Sequence, residues 1–347
     1  MARRFAMGIA AGVMVAGAVG ALGRTSARGD EPQATVAAID AEFEKEALKL
    51  EKTRLDRLAK LAATKTGAEA SRVYEAFFRA AIANNLYAEA EATALAALKA
   101  DVLSPQATLL ADLVNLIAQA DRGAYEESLK NLDAMIATQA QEPKALPVSM
   151  KLSLIDAYYQ KLVRSGQFEV ARKALTSLQA KAIDPAIKDL VERRLVQVNL
   201  VGKPAPAIDG TDIDGKPYHL ADAKGDAVLV IFWATWCLPN AQEVAMFDAA
   251  YTKYRDKGLR VVGINVDAFQ DGGRSAEAVA PDVKRFLLER NVRWPNLIEH
   301  PGERDLAKAF GVSDIPSNVL IGRDGKILRI DLTGAILDEA IAKAVAK

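Results

Sequence analysis

The chain has 347 residues, and its 45 Lys and Arg residues balance its 45 Asp and Glu residues, so the formal net charge is zero. This balance gives no general attraction to nucleic acid or anionic lipid, and we predict no nucleic-acid partner. Half of the residues are hydrophobic, and the length suits two domains rather than one. One cysteine and two histidines are too few soft ligands for a structural zinc site, and no cofactor motif is present.

The N-terminus has the layout of a secretory signal peptide. Arg3 and Arg4 precede an apolar stretch over residues 5–22, and a run of small residues follows at 25–27. We therefore predict that residues 1–27 direct export to the periplasm or cell envelope. The alternative is that residues 5–22 remain as a membrane anchor, because about 18 apolar residues nearly span a bilayer.

The next region, residues 28–200, has the composition of an all-α region. Segments at Asn85, Gly123 and Gly166 share one pattern, in which an aromatic follows the turn residue by two positions and a small residue comes three positions later. Each segment is predicted to open a helix. The pattern resembles tetratricopeptide helical hairpins, which stack and bind peptides. The region either binds a partner peptide or serves as a helical cap or spacer.

A second domain is predicted over residues 201–347. The run 201–206 contains two prolines and a glycine, which end the helical pattern. Beyond it, short strands alternate with helices, and turn signals lie at Asp214-Gly215 and Asp324-Gly325. The continuous apolar run 228–233 suits a buried strand. The predicted fold class is therefore multidomain: an all-α helical region followed by an α/β domain.

The single cysteine, Cys237, follows that apolar run and lies in the sequence Trp-Cys-Leu-Pro-Asn. Pro239 suits the first turn of a helix, whose positive end stabilises a thiolate. Trp233 and Trp236 supply a flat apolar surround for an extended substrate. The alternative is that Trp233 belongs to the core and Cys237 is an inert buried thiol.

Residues 202–347 resemble the TlpA/ResA family of exported, thioredoxin-fold thiol–disulfide reductases. The family's site reads Trp-Cys-x-Pro-Cys, whereas this chain has Asn240 in place of the second cysteine. Ala245 also stands where family members commonly have proline. The resemblance rests on the segments 202–206, 212–216, 232–237, Glu243, 258–267, 311–316 and 324–325.

The resemblance implies roles for two further elements. It implies that the Ile315-Pro316 peptide bond is cis and faces the cysteine, and that the Ile315 backbone pairs with a bound peptide. The alternative is an ordinary trans loop proline. It also implies that Glu243 shuttles protons to the thiol. The alternative is a first-turn acid that the helix dipole favours.

Two functions remain open at this point. In dithiol exchange a second thiol resolves the mixed disulfide, and Asn240 cannot do this. The first hypothesis is monothiol exchange through Cys237, with protein thiols or disulfides as substrates and an external thiol donor. The second is a catalytically inactive binding or scaffold module. A peroxiredoxin interpretation is weaker, because the threonine of that motif is Ala234 here.

Overall fold

The structure is a computed structural model that describes residues 6–7, 36–100, 102–137, 147–299 and 305–346. The predicted signal segment lies outside these residues, apart from the backbone of strand β1 (Ala6–Met7). Within the described part of the chain, no helix has both the length and the apolar character that a membrane span requires. The chain divides into two compact units, one of residues 10–154 and one of residues 1–9 and 155–347.

The first compact unit consists of helices in its described part. Its core is alanine-rich and includes Phe77, Phe78 and Leu86, all almost fully buried. Small side chains let neighbouring helices approach closely, which explains why alanine dominates their buried faces. The helices are α1 (Val36–Ala63), α2 (Gly67–Ala83), α3 (Tyr87–Ala100), α4 (Pro105–Asp121), α5 (Tyr125–Ala137) and the first part of α6 (Val148–Arg164).

The second compact unit contains the end of α6 and two more helices, followed by the α/β part. The elements are α7 (Phe168–Lys181), α8 (Pro185–Leu200), β2 (Asp209–Thr211), β3 (Pro217–His219), β4 (Ala227–Trp233), α9 (Leu238–Tyr254), β5 (Leu259–Asn265), α10 (Ala276–Glu289), β6 (Asn296–Ile298), α11 (Leu306–Ala309), β7 (Asp314–Ile315), β8 (Ser317–Ile321), β9 (Ile327–Ile330) and α12 (Gly334–Val345).

One mixed five-stranded sheet organises the α/β part, with strand order β6-β5-β4-β8-β9. Strand β4 is central and buried throughout; it pairs in parallel with β5 and antiparallel with β8. Strands β2 and β3 form a separate antiparallel hairpin, and β1 pairs in parallel with β7. Because the helix that follows a central strand starts at one edge of the sheet, the residues between β4 and α9 are held at that edge.

Local chemistry explains where several helices begin. Ser104 and Ser275 accept hydrogen bonds from backbone N–H groups of the first turns of α4 and α10, and Asp184 does the same for α8. Such caps satisfy donors that a helix start leaves unpaired. Proline follows the cap directly in α4 and α8, where its missing N–H costs nothing.

The predicted fold class is confirmed: helices precede a mixed α/β part. The secondary structure changes from helices to strands after Leu200, close to the predicted boundary. The compact unit that holds the sheet nevertheless begins at residue 155, so it includes α7 and α8. The division into domains at residues 200 and 201 stays a prediction. The tetratricopeptide-like nature of the helices also stays a prediction.

Candidate functional site

Cys237 lies between the central strand β4 and helix α9. It is the residue that directly precedes the helix, with an extended backbone, and its side chain is fully buried. Its sulfur lies 3.9 Å from the carbonyl oxygen of Ile315, the contact of a weak S–H donor. The site is thus closed in this conformation, although the helix start beside the sulfur is a favourable place for negative charge.

The residues opposite Cys237 form the segment that we call the site loop, residues 311–317. It contains β7 and the start of β8, and the Ile315-Pro316 peptide bond is cis, as the family resemblance implied. Ile315 is buried and Pro316 is half-buried. In this structure the backbone of β7 pairs with β1. The predicted pair Ile315 and Pro316 therefore lies against Cys237.

Helix α8 contacts the site loop through a buried arginine. The Nη2 atom of Arg194 lies 2.7 Å from Asp156 Oδ1 of α6 and 3.0 Å from Asp314 Oδ2 of the site loop. Burial by itself lowers the pKa of Arg194, but the two carboxylates outweigh burial and hold this pKa above its usual value. The guanidinium is therefore a permanent charge that bridges two helices and the loop.

One turn further along α8, Gln197 makes a second set of contacts. Its Nε2 donates to Asp331 Oδ2 at 3.2 Å and to Ser317 Oγ at 3.4 Å, while its Oε1 accepts from the hydroxyl of Tyr159 at 3.1 Å. Ser317 Oγ also donates to Asp331 Oδ1 at 2.6 Å. Gln197 is 2% exposed, so water does not replace these partners.

The backbone of the site loop comes equally close to α8. Gly311 has a φ of +66°, and a Cβ atom added there would lie 2.8 Å from both the N and the Cα atoms of Gln197. No side chain fits at that distance, and positive φ also favours glycine. Loop and helix are therefore in direct backbone contact at this point.

Glu243 is a carboxyl group of the site whose pKa is raised. It lies six residues after Cys237 on α9 and is half-buried, and its buried Oε2 atom has no hydrogen-bond partner among the residues that the structure describes. Burial, and then the nearby charge of Asp331, raise the pKa of Glu243 to about 7, while Arg164 acts in the opposite direction. Glu243 can thus gain or lose a proton near neutral pH.

Asp331 is the neighbour that couples Glu243 to the site loop. Burial raises the pKa of Asp331, although the hydrogen bond from Ser317 and the charge of Arg194 oppose the change. The negative charge of Asp331 in turn raises the pKa of Glu243, which favours a state in which Glu243 holds a proton.

The other residues that the sequence predicted for the site lie partly in the core and partly at the start of α9. Trp233 is 5% exposed and belongs to the core, where its Nε1 donates to Asn296 Oδ1 at 3.0 Å. This position corresponds to the core alternative rather than to a docking surface. Trp236 is half-buried, and within the described part of the chain its Nε1 has no hydrogen-bond partner. Pro239 and Asn240 form the first turn of α9, but their side chains lie outside what the structure describes.

Several residues at the site escaped the sequence analysis. Asp267 Oδ1 accepts a hydrogen bond from the backbone N–H of Thr235 at 2.8 Å, which fixes the turn before Cys237. Burial raises the pKa of Asp267 as well. For α8 a signal was present: Arg194 and Gln197 occupy helix positions in register with the buried Ile187, Leu190, Val191 and Val198. A polar residue in an apolar stripe indicates a buried partner.

A cysteine at the start of the helix after the central strand, facing a cis-proline loop across a mixed sheet, defines a thioredoxin-type redox domain. The AhpC/TSA family model matches residues 201–330. Thiol-disulfide oxidoreductase ResA of Bacillus thuringiensis subsp. konkukian is 33% identical over 129 residues, which cover 37% of this chain and 68% of that protein. ResA of Bacillus subtilis is 30% identical over 140 residues, covering 40% and 71%.

A solved structure is also similar. The thioredoxin domain of a thiol-disulfide oxidoreductase from Bacteroides vulgatus is 28% identical, with a TM-score of 0.37, and the match covers 42% of this chain and 98% of that one. From the identity and coverage of the relatives, the chain belongs to the family of ResA thiol-disulfide oxidoreductases. Helices α1–α8 precede the residues that the family model matches.

Proposed function

We propose that the protein carries out thiol–disulfide exchange through the single sulfur of Cys237. The observation that carries this proposal is the position of that sulfur, at the start of α9 and 3.9 Å from the Ile315 carbonyl of the site loop. The relatives, which are thiol-disulfide oxidoreductases, are named for the same chemistry. The proposed substrates are protein thiols or disulfides.

The exchange proceeds in three steps, each an attack of a thiolate on a disulfide. The Cys237 thiolate attacks one sulfur of a client disulfide, a new S–S bond forms, and the other client sulfur leaves as a thiolate that takes up a proton. Because Asn240 has no thiol, an external thiolate attacks the Cys237 sulfur and releases the reduced client. A second external thiolate then releases Cys237. In total, one client disulfide and two external thiols become a client dithiol and one external disulfide.

Glu243 is proposed to exchange the protons of this cycle. A carboxyl group whose pKa is raised to about 7 holds a proton in about half of the molecules at neutral pH. The charge of Asp331, which accepts a hydrogen bond from Ser317 of the site loop, acts on Glu243 and raises its pKa. Trp236 and Pro316, both half-buried, are the proposed contacts for the client beside Cys237.

A second function has its own supporting observation. Cys237 is 0% exposed, and the resolving position holds Asn240. A domain of this kind that keeps its groove without redox turnover would act as a binding or scaffold module. The helical region, with its tetratricopeptide-like pattern, would then bind a partner peptide alongside it.

The deciding experiment is alkylation of Cys237 in the full chain as a function of pH, followed by mixed-disulfide formation with a peptide disulfide. An unperturbed thiol titrates near about 8.5. We expect a midpoint below that value and a covalent adduct that a reductant removes and that Cys237→Ser does not form. An ordinary midpoint and no adduct, even after the thiol has been made accessible, would contradict exchange and favour the binding module.

Export to the periplasm or cell envelope is the proposed location, on the basis of the basic and apolar N-terminal segment. In such an oxidising compartment, client disulfides are available to a single thiol.

A further inference from the structure

We propose that helix α8 closes the thiol site, and that Arg194 and Gln197 are positioning residues that must release the site loop before Cys237 can react with a protein disulfide. This inference rests on the proposed function and adds its regulation. Both residues precede residue 201, where the family match begins. The contacts therefore come from the helical extension of this chain and not from the matched domain.

Helix α8 holds the site loop on both sides of Ile315. Arg194 contacts Asp314, the residue before Ile315, and Gln197 contacts Ser317, two residues after it. The carbonyl oxygen of Ile315 is in turn the group beside the Cys237 sulfur. Fixing both neighbours of Ile315 therefore fixes the group that lies against the thiol.

The contacts between α8 and the site loop are withdrawn from water. Arg194, Gln197 and Ser317 are all buried, and the ion pair of Arg194 with Asp314 is largely withdrawn from solvent. Polar contacts are stronger away from water, and their release leaves groups unsatisfied. A surface ion pair would hold the loop weakly, whereas this set holds it in one arrangement.

The backbones of the site loop and α8 are also close together. At Gly311 a single added carbon atom would collide with the backbone of Gln197. At this residue the loop therefore cannot move closer to α8. Cys237 is fully buried and its sulfur lies against Ile315 of the same loop, so release from α8 would let the loop move away from the sulfur.

The test measures the rate at which iodoacetamide alkylates Cys237 in the full chain, at one pH and without denaturant. Arg194→Met and Gln197→Leu remove the contacts from α8, and Asp314→Asn weakens them from the loop. Arg193→Met is the matched control, because Arg193 is the adjacent arginine and pairs with Asp189 of the same helix in an exposed i, i+4 contact. We expect at least a tenfold faster reaction in the first three variants and less than a twofold change in the control.

Low concentrations of urea separate loop release from general loss of stability. Alkylation through global unfolding accelerates with urea, because unfolding exposes much surface, whereas local release of a loop exposes little. We expect the faster rates to be nearly independent of urea. Asp314→Asn leaves the Arg194–Asp156 pair in place, so it keeps the test decisive if Arg194→Met does not fold.

The outcomes distinguish this inference from the proposed function. Equal alkylation rates in wild type and folded variants, or rates that rise steeply with urea, would overturn closure by α8. Faster alkylation in the variants without any mixed disulfide to a peptide disulfide would support closure and contradict exchange. Faster alkylation with faster formation of the mixed disulfide would support both.

Discussion

At the scale of single residues, the most informative group is the carboxyl of Glu243, because burial raises its pKa to near neutral pH. In the folded protein the pKa of Glu243 is about 7, against an ordinary value of 4.5. Between these two pH values the folded protein holds a proton that the unfolded chain has already lost. The free energy of unfolding should therefore decrease as the pH rises through this window, and the stabilisation is lost above about pH 7.

Replacing Glu243 by Gln removes this proton and should flatten the dependence. The Glu243 contribution has a slope of at most about 1.4 kcal/mol per pH unit. We expect wild type to lose more stability than Glu243→Gln between pH 5 and pH 7.5, measured by urea unfolding at each pH. Asp112, whose pKa burial also raises, contributes equally to both proteins, whereas the charge of Asp331 acts on Glu243 and is part of the difference. Parallel curves for the two proteins would show that Glu243 is ionised at neutral pH.

Residue patterns in the sequence predicted part of the site and missed the rest for a physical reason. Cys237 and the Ile315-Pro316 pair could be identified because each lies in a short local motif. The contacts of Gln197 could not, because they join α6, α8 and β8, which are far apart in sequence. Only the packing of those elements brings the side chains together. The tryptophan motif was likewise ambiguous, and packing alone places Trp233 in the core.

At the scale of elements, the helix starts followed closely from local signals. Helices α3, α5 and α7 begin at Tyr87, Tyr125 and Phe168, the aromatic residues of the repeated pattern. A turn residue breaks the preceding helix, and the aromatic then packs as the next one opens. Helix α10 likewise starts at Ala276, directly after its cap Ser275, and it contains Pro281 in its interior.

Strand β5 offers a test of how tightly the sheet and its tryptophan are packed. A Cβ atom at Gly263 would overlap Asn296 Oδ1 and lie 2.9 Å from Trp233 Nε1. These two atoms are joined by a buried hydrogen bond. Gly263→Ala should therefore lower the free energy of unfolding by about 1–3 kcal/mol, the usual range for overpacking.

Chemical denaturation of Gly263→Ala, Asn296→Ala and the double variant measures this effect. Since the added methyl group collides with Asn296, the double variant should lose less stability than the sum of the single losses. A neutral Gly263→Ala substitution, or strictly additive losses, would show that the strand spacing at this point adjusts freely.

At the scale of the whole molecule, the second compact unit contains both the residues that match the family and helices that precede the match. The family match accounts for residues 201–330, yet the unit that contains them also includes α7, α8 and the end of α6. The two prolines and the glycine in residues 201–206 predicted where strands replace helices. They carried no information on which helices pack with the sheet, because packing depends on contacts between distant segments.

The N-terminal segment can be tested on the intact protein. If residues 1–27 are a signal peptide, the protein recovered from the cell envelope should begin near residue 28, as N-terminal sequencing or an intact mass would show. A chain that retains Met1 and is extracted only with detergent would support the anchor alternative for residues 5–22. A chain that retains Met1 in the cytosol would contradict export.

The single, buried thiol also limits the number of disulfide bonds that one copy of the chain can form. A chain with one thiol can form one covalent link at a time, so an adduct joins one copy to one client, and self-linkage stops at a dimer. On a non-reducing gel, a client with one exchangeable disulfide should therefore give a single adduct band, and the chain alone should give no species larger than a dimer. In every disulfide-linked species the bond on this chain would be at Cys237. Only the client and its cysteine would then need to be identified.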